Sequence, residues 1–280
     1  MKLARIILIA FASCSTYAQT SNGQPAFDVA SIRPAEPVGG RAPLSSSVRP
    51  TGNGLTIENM TLKRMTLLAY QVKQFQLSGG PSWFDSARFD IRARSENTAG
   101  WADLLLMLQS LLADRFHLVI RRESRELPIY VMVLARKDGK LGPNLVPSKE
   151  EGCPPREERA ETATPGRRVF GCGPGSLGLT RIHQVGVRIE DVASYLSGPL
   201  GRTVIDKTGL TGIYDIALDW PPDDPRSASP FAPPGPGLAP EDTAPRLLDA
   251  LKEQLGLKLE SQKGPVEIFV IDRAEKPSEN

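Results

Sequence analysis

Two stretches of this sequence align with one another without a gap: LPIYVMVLAR at residues 127–136 and GPVEIFVIDR at residues 264–273. Each has the dense apolar pattern of a buried β-strand after its proline. Each also follows a leucine-rich helical segment, so we expect it to lie in a β-hairpin that closes a structural unit. The recurrence predicts that one unit is used twice.

The segments before these strands repeat in the same order. A strand and a helix at 55–70 correspond to 182–196, and the aromatic-Asp-Ile strand FDIRA at 89–93 corresponds to YDIAL at 214–218. Each half then has a helix with a leucine stripe. Each half therefore reads β-α-β-β-α-β-β, which predicts an α+β fold of two tandem repeats, with antiparallel sheets and helices packed on one face. The two layers would lie side by side or fuse into one sheet.

The domain boundaries follow from this repeat. The first repeat, with an extra N-terminal strand at 27–32, is predicted over 19–142, and the second over 177–277. A polar linker at 143–176 joins them. The second repeat contains an insertion at 221–245 with nine prolines, a composition typical of disordered linkers.

The N-terminus has the pattern of a secretory leader. Lys2 and Arg5 precede an apolar run at 6–12, and this run is too short to span a bilayer. Cleavage after Ala18 would release a chain beginning at Gln19, whereas a lipobox reading would acylate Cys14 and give a lipid anchor. An uncleaved leader is the third alternative. The leader pattern predicts a periplasmic or secreted protein without a transmembrane span.

Two further cysteines, Cys153 and Cys172, lie in the linker. An oxidising compartment favours a disulfide between them, although two unpaired thiols are the alternative. Neither histidine of the chain lies near them in sequence, so we predict no metal site and no cofactor.

The charge balance argues against nucleic acid as a partner. The chain has 34 basic and 32 acidic side chains, and the leader contributes two of the basic ones. A chain with balanced charge has no general attraction to a phosphate backbone.

The candidate binding residues surround two Gly-rich turns that correspond in the repeat. They are Trp83, Phe84 and Arg88 at the first turn, and Lys207, Thr208 and Tyr214 at the second. Because loops on a rigid scaffold often carry recognition, we expect two equivalent loops at one end of the molecule. The alternative is that Trp83 and Tyr214 anchor each turn to a helix.

Catalytic residues are harder to find in the sequence. His117 and His183 both occur in strand-like patterns, which favours solvent-facing strand positions over a catalytic base. Pairs of carboxylates stay open as candidates, because 32 acidic residues always provide pairs. We therefore assign no catalytic residue.

Five motifs in order resemble a known family. They are FDVASIRP at 27–34, GGPSW at 79–83, LLADRF at 111–116, DKTGLTG at 206–212 and IDR at 271–273. The sequence resembles a large family of secreted soil-bacterial proteins of unknown function over residues 27–277. A similar domain follows the membrane metallopeptidase of regulators of the bla type. The resemblance implies an extracytoplasmic sensing or binding module and carries over no catalytic residues.

Three hypotheses follow for function. The first is a non-catalytic extracytoplasmic module that binds an envelope protein or a small ligand. The second is an envelope hydrolase that uses carboxylates in a cleft between the repeats. The third is a structural or assembly protein that acts by strand addition.

Overall fold

The computed structural model describes residues 25–35, 46–149, 175–178, 180–220 and 246–277. A 3-10 turn at Gln74–Gln76 and a π-helical turn at Leu251–Leu255 accompany the regular elements. In chain order these elements are β1 (Val29–Pro34), β2 (Ser47–Thr51), β3 (Gly54–Thr61), α1 (Leu62–Ala69), β4 (Leu77–Gly79), β5 (Arg88–Arg94), α2 (Trp101–Arg115), β6 (Val119–Leu134), β7 (Leu145–Pro147), β8 (Gly175–Gly178), β9 (Arg181–Val187), α3 (Ile189–Leu196), β10 (Val204–Asp206), β11 (Tyr214–Asp219), α4 (246–250) and β12 (Leu257–Arg273).

The described strands form three four-stranded sheets. The first outer sheet has the order β1-β5-β3-β2, and the second outer sheet has the order β7-β11-β9-β8; both are antiparallel. The central sheet has the order β10-β6-β12-β4. The α+β class predicted from the sequence is confirmed, with three sheets in place of the expected two layers.

The central sheet corrects the predicted closing hairpins. Each half ends in one long strand, and β6 and β12 pair antiparallel over almost their whole length. Pro128 and Pro265 lie inside these strands, beyond the segments that pair with the short strands β10 and β4. Proline has no N–H to donate to a neighbouring strand. It is tolerated there because, at these positions, the long strand pairs with a neighbour on one side only.

The short strands exchange between the halves. The strand β4 from the first half pairs parallel to β12, and β10 from the second half pairs parallel to β6. These two parallel pairs are the exception to the predicted antiparallel pattern. Each half therefore completes the sheet of the other.

The register of the central ladder is the one that a two-fold relation between the halves requires. The sequence alignment places Leu127 on Gly264, and these two residues lie directly opposite one another in the ladder. When two antiparallel strands pair at equivalent residues, a local two-fold axis through that residue pair relates the strands. Superposition of the complete halves stays a prediction.

Each outer sheet packs helices on its inner face. In the first half, α2 buries five leucines of the predicted stripe: Leu104, Leu105, Leu108, Leu111 and Leu112. Thr61 caps the N-terminus of α1, and its hydroxyl accepts a hydrogen bond from the Arg64 N–H (3.3 Å). In the second half, α3, α4 and the π-helical turn cover the sheet around the buried Trp220. Full burial of one leucine stabilises the fold by about 1.5–3 kcal/mol.

The predicted extra strand exists as β1, which pairs with β5. The segment 143–176, predicted as a polar linker, carries β7 and β8 at its two ends. The leader with Cys14, the cysteines Cys153 and Cys172, and the Pro-rich insertion 221–245 lie outside the described residues.

Candidate functional site

An open cleft of about 530 Å³ lies on the outer face of the second outer sheet. All four strands of that sheet, or the residues next to them, contribute to it. Its lining residues are Pro143, Asn144, Val146, Gly175, Ser176, His183, Gln184, Val185, Asp215, Ile216 and Ala217. Hydrogen-bonding side chains thus alternate with apolar ones, and Val146 is 46% exposed.

Three polar residues follow one another across this sheet. Ser176 on β8 lies opposite His183 on β9. The His183 Nε2 lies 2.5 Å from the Asp219 Oδ2, and Arg181 approaches the same carboxylate at 3.8 Å. The sheet therefore presents a hydroxyl, an imidazole and a carboxylate on one face. The His183 and Asp219 side chains are 42% and 52% exposed.

A β-bulge fixes the floor of the cleft. Gly186 has a positive φ of 65°, and its N–H donates to the Asp215 Oδ1 at 2.9 Å. The first outer sheet has the same arrangement, with Asn59 at φ 53° and its N–H donating to the Asp90 Oδ1 at 2.7 Å. The aspartate of the repeated aromatic-Asp-Ile motif therefore binds the irregular backbone of the neighbouring strand.

The first predicted loop, loop 1 (residues 80–87), lies between β4 and β5. Phe84 is buried in the first core, and Trp83 packs edge to face on Phe89 with ring centroids 6.3 Å apart. Arg88 begins β5 and donates to the Asn59 carbonyl at 3.0 Å. Trp83 is partly buried against the first core, and this packing favours the anchoring role of Trp83 over ligand contact.

The second predicted loop, loop 2 (residues 207–213), lies between β10 and β11. Lys207 is exposed, whereas Thr208 and Tyr214 are buried. The Thr208 hydroxyl accepts from the Leu210 N–H at 3.1 Å, and the Tyr214 hydroxyl donates to the Thr211 carbonyl at 3.2 Å. Of these three residues, Lys207 has the exposed side chain.

The expectation that the two loops share one end of the molecule is wrong. The strands β4 and β10 form opposite edges of the central sheet and run in opposite directions. Gly79 pairs with Ile271, whereas Asp206 pairs with Met132, which lies opposite Leu259. About 12 residues of β12 separate these positions, or about 40 Å at 3.3 Å per residue. The contribution of each loop to binding stays a prediction.

The histidines differ in their placement. His183 is a half-exposed strand residue, as expected. His117 is exposed but lies in the turn between α2 and β6, with φ 47°. The strand expectation for His117 was wrong because its positive φ ends the preceding helix and reverses the chain.

The halves meet in a strand ladder, whereas the hydrolase hypothesis places a cleft with paired carboxylates between them. The strands β6 and β12 pair directly, and aliphatic residues at equivalent positions cluster on one face of the ladder: Ile129, Val131, Val266 and Ile268. In the described part of the chain, no group of three or more His, Cys, Asp or Glu residues could hold a metal ion. Among the same residues, no helix has the length and apolar character to cross a membrane.

The family of the chain follows from a match over most of this architecture. The family model of a protein of unknown function, DUF3738, matches residues 63–274. The chain belongs to the DUF3738 family. The matched region of this DUF3738 protein runs from the second residue of α1 to the end of β12 and includes the entire cleft. No curated protein and no solved structure matches the chain.

The sequence reasoning missed the cleft residues Asn144, Ser176 and Asp215 of this DUF3738 protein. A strand alternation at 181–187 indicated which side chains face outward, but the neighbours come from segments far apart in the chain. The repeated aspartate was a usable signal, because Asp215 recurs in the motif that the halves share.

Proposed function

We propose that this DUF3738 protein is a non-catalytic binding or sensing module that acts outside the cytoplasm and holds a polar ligand in the cleft of its second outer sheet. The leader-like pattern at residues 2–12 supports export. The observation that carries the binding role is the cleft itself, in which Ser176, His183 and Asn144 converge on a concave surface with apolar walls. Pockets that combine apolar lining with a few placed polar groups are typical of ligand sites.

The rigidity of the scaffold supports this proposal. Asp215 holds the bulge of β9 at Gly186, and Asn144 is fixed by backbone hydrogen bonds to Gln254 and Ala217 (2.9 and 3.1 Å). A site whose side chains are held by neighbouring strands binds with a smaller loss of conformational entropy.

Isothermal titration of the purified protein tests the proposal, with soluble peptidoglycan fragments and short polar peptides as probes. We expect saturable binding that His183→Ala or Ser176→Ala weakens about tenfold, because each removes a hydrogen-bonding group from the cleft. His117→Ala is the matched control, since His117 is exposed and lies outside the cleft. Binding that survives both cleft substitutions but is lost in Trp83→Ala or Lys207→Ala would place the site in the loops.

A hydrolase is the second candidate, because Ser176, His183 and Asp219 present the three groups of a nucleophile, a base and an orienting carboxylate. The exposure of the imidazole and the carboxylate favours binding, since catalytic groups of this kind act in sites that exclude water. Labelling by a fluorophosphonate that is abolished in Ser176→Ala would establish the hydrolase.

A further inference from the structure

The outer face of the first outer sheet is rich in arginine. Strand alternation and register place five arginines on this face, which we call the arginine face: Arg33, Arg49, Arg88, Arg92 and Arg94. Two acidic residues share the face, and both are engaged. Glu58 pairs with Arg49 at 2.8 Å, and Asp90 accepts the Asn59 N–H. The face therefore carries an excess of positive charge.

Three of these arginines have side chains with neither a hydrogen bond nor an ion pair within the described residues: Arg33, Arg92 and Arg94. Arg92 and Arg94 lie two residues apart on β5, and Arg33 lies opposite Asp90 on the adjacent β1. All three are exposed. Their guanidinium groups are thus available for the two-pronged hydrogen bonds that arginine makes with carboxylates.

The second outer sheet serves as an internal comparison. The repeated motif aligns Asp90 with Asp215, and this aspartate is shared because it holds the bulge in both sheets. The same alignment places Ala217 at the position of Arg92 and Asp219 at the position of Arg94. The architecture therefore does not require arginine at these positions.

The edge beside the arginine face is open. The strand β1 is an edge strand, and among the described residues no strand pairs with its outer side. Val29 on this strand is 69% exposed. An edge strand of six residues presents unpaired N–H and C=O groups that can accept another strand.

We infer that the arginine face docks an extended acidic segment of a partner protein, which adds to the free edge of β1 as a fifth strand. Alternate side chains of an extended segment repeat every 6.6–6.8 Å or so, the same spacing as Arg92 and Arg94. Ser31 and Val29, the residues between these arginines and the edge, are short. Backbone hydrogen bonds would supply affinity, and carboxylates at alternate positions would supply selectivity. This site is separate from the cleft and does not depend on it.

Fluorescence anisotropy of a labelled octapeptide of alternating Thr and Glu, titrated with the purified full chain at low salt, tests this inference. The test variant is Arg92→Ala with Arg94→Asp, which installs the residues that the second outer sheet carries at these positions. The control variant is Lys137→Ala with Lys140→Asp, which makes the same charge change at exposed residues elsewhere. Circular dichroism and thermal unfolding verify that both variants fold.

We expect the peptide to bind, the test variant to bind at least about tenfold more weakly, and the control to change less than about twofold. A peptide of alternating Thr and Gln should bind poorly, and methylation of alternate backbone nitrogens of the acidic peptide should abolish binding. The inference is overturned if the acidic peptide does not bind, or if both variants lose the same affinity. It is also overturned if the methylated peptide binds as tightly as its parent, or if only vesicles of anionic lipid bind in an arginine-dependent manner.

Discussion

Asp90 and Asp215 show how one residue can fix an irregular strand in both halves. Each carboxylate accepts a backbone N–H from a residue with positive φ, Asn59 in one sheet and Gly186 in the other. The extra residue of a bulge leaves its backbone groups outside the ladder. A carboxylate on the adjacent strand satisfies such a group, which explains why the motif keeps its aspartate while the neighbouring residues differ.

We predict that Asp90→Ala and Asp215→Ala each lower the free energy of unfolding by about 1.5–3 kcal/mol, the usual range for a lost hydrogen bond to a charged group. Denaturant titration measures this change. Asp85→Ala is the control, because its ion pair with Lys63 (2.8 Å) is exposed and should contribute less than about 1 kcal/mol. If the three substitutions lower the free energy of unfolding equally, the hydrogen bonds that Asp90 and Asp215 accept from the bulges contribute no more than an exposed ion pair.

At the scale of elements, a close backbone contact positions the cleft. The chain after β6 lies against the π-helical turn, where the Gly142 N–H donates to the Leu255 carbonyl and the Asn144 N–H donates to the Gln254 carbonyl, both at 2.9 Å. A Cβ at Gly142 would lie 2.3 Å from the Gln254 carbonyl oxygen. Glycine at 142 therefore lets Pro143 and Asn144 reach the edge of the second outer sheet.

We predict that Gly142→Ala lowers the free energy of unfolding by about 1–3 kcal/mol, because the two backbones must separate. Gly198→Ala is the control, since its added Cβ would meet its nearest neighbour at 3.4 Å, and it should change stability by less than about 1 kcal/mol. Thermal unfolding of both variants measures the difference. If Gly142→Ala has the same stability as the native protein, the two backbones can separate at this contact without a measurable loss of stability.

At the scale of the whole molecule, the central sheet joins the halves. The strands β6 and β12 form one ladder, and each exchanged short strand extends the sheet from the other half. Neither half can keep its long strand paired if the other unfolds. We therefore expect the two cores to unfold together in one cooperative transition.

Two tryptophan variants test this cooperativity. Trp220→Phe leaves Trp83 and Trp101 as reporters of the first core, and Trp83→Phe with Trp101→Phe leaves Trp220 in the second core. In each variant, fluorescence and far-UV circular dichroism should give the same denaturation midpoint. Separate midpoints within either variant would indicate that the halves unfold independently.

The sequence by itself determined the α+β class and the types of many elements, because apolar periodicity and turn residues act locally. It predicted the stripe of α2, the strand β1 and the recurrence of the FDIRA motif as YDIAL. Strand pairing was decided only in the tertiary structure. A strand such as 127–136 carries the same pattern whether it folds back on its own half or crosses to the other, since pairing depends on distant segments.

The same limit applies to the site. The loops at 80–87 and 207–213 could be recognised as equivalent, yet their separation follows from the exchange of β4 and β10. The cleft exists because β7, β8, β9 and β11 meet in one sheet. Local sequence specifies which residues face outward, whereas the long-range ladder decides which of them become neighbours.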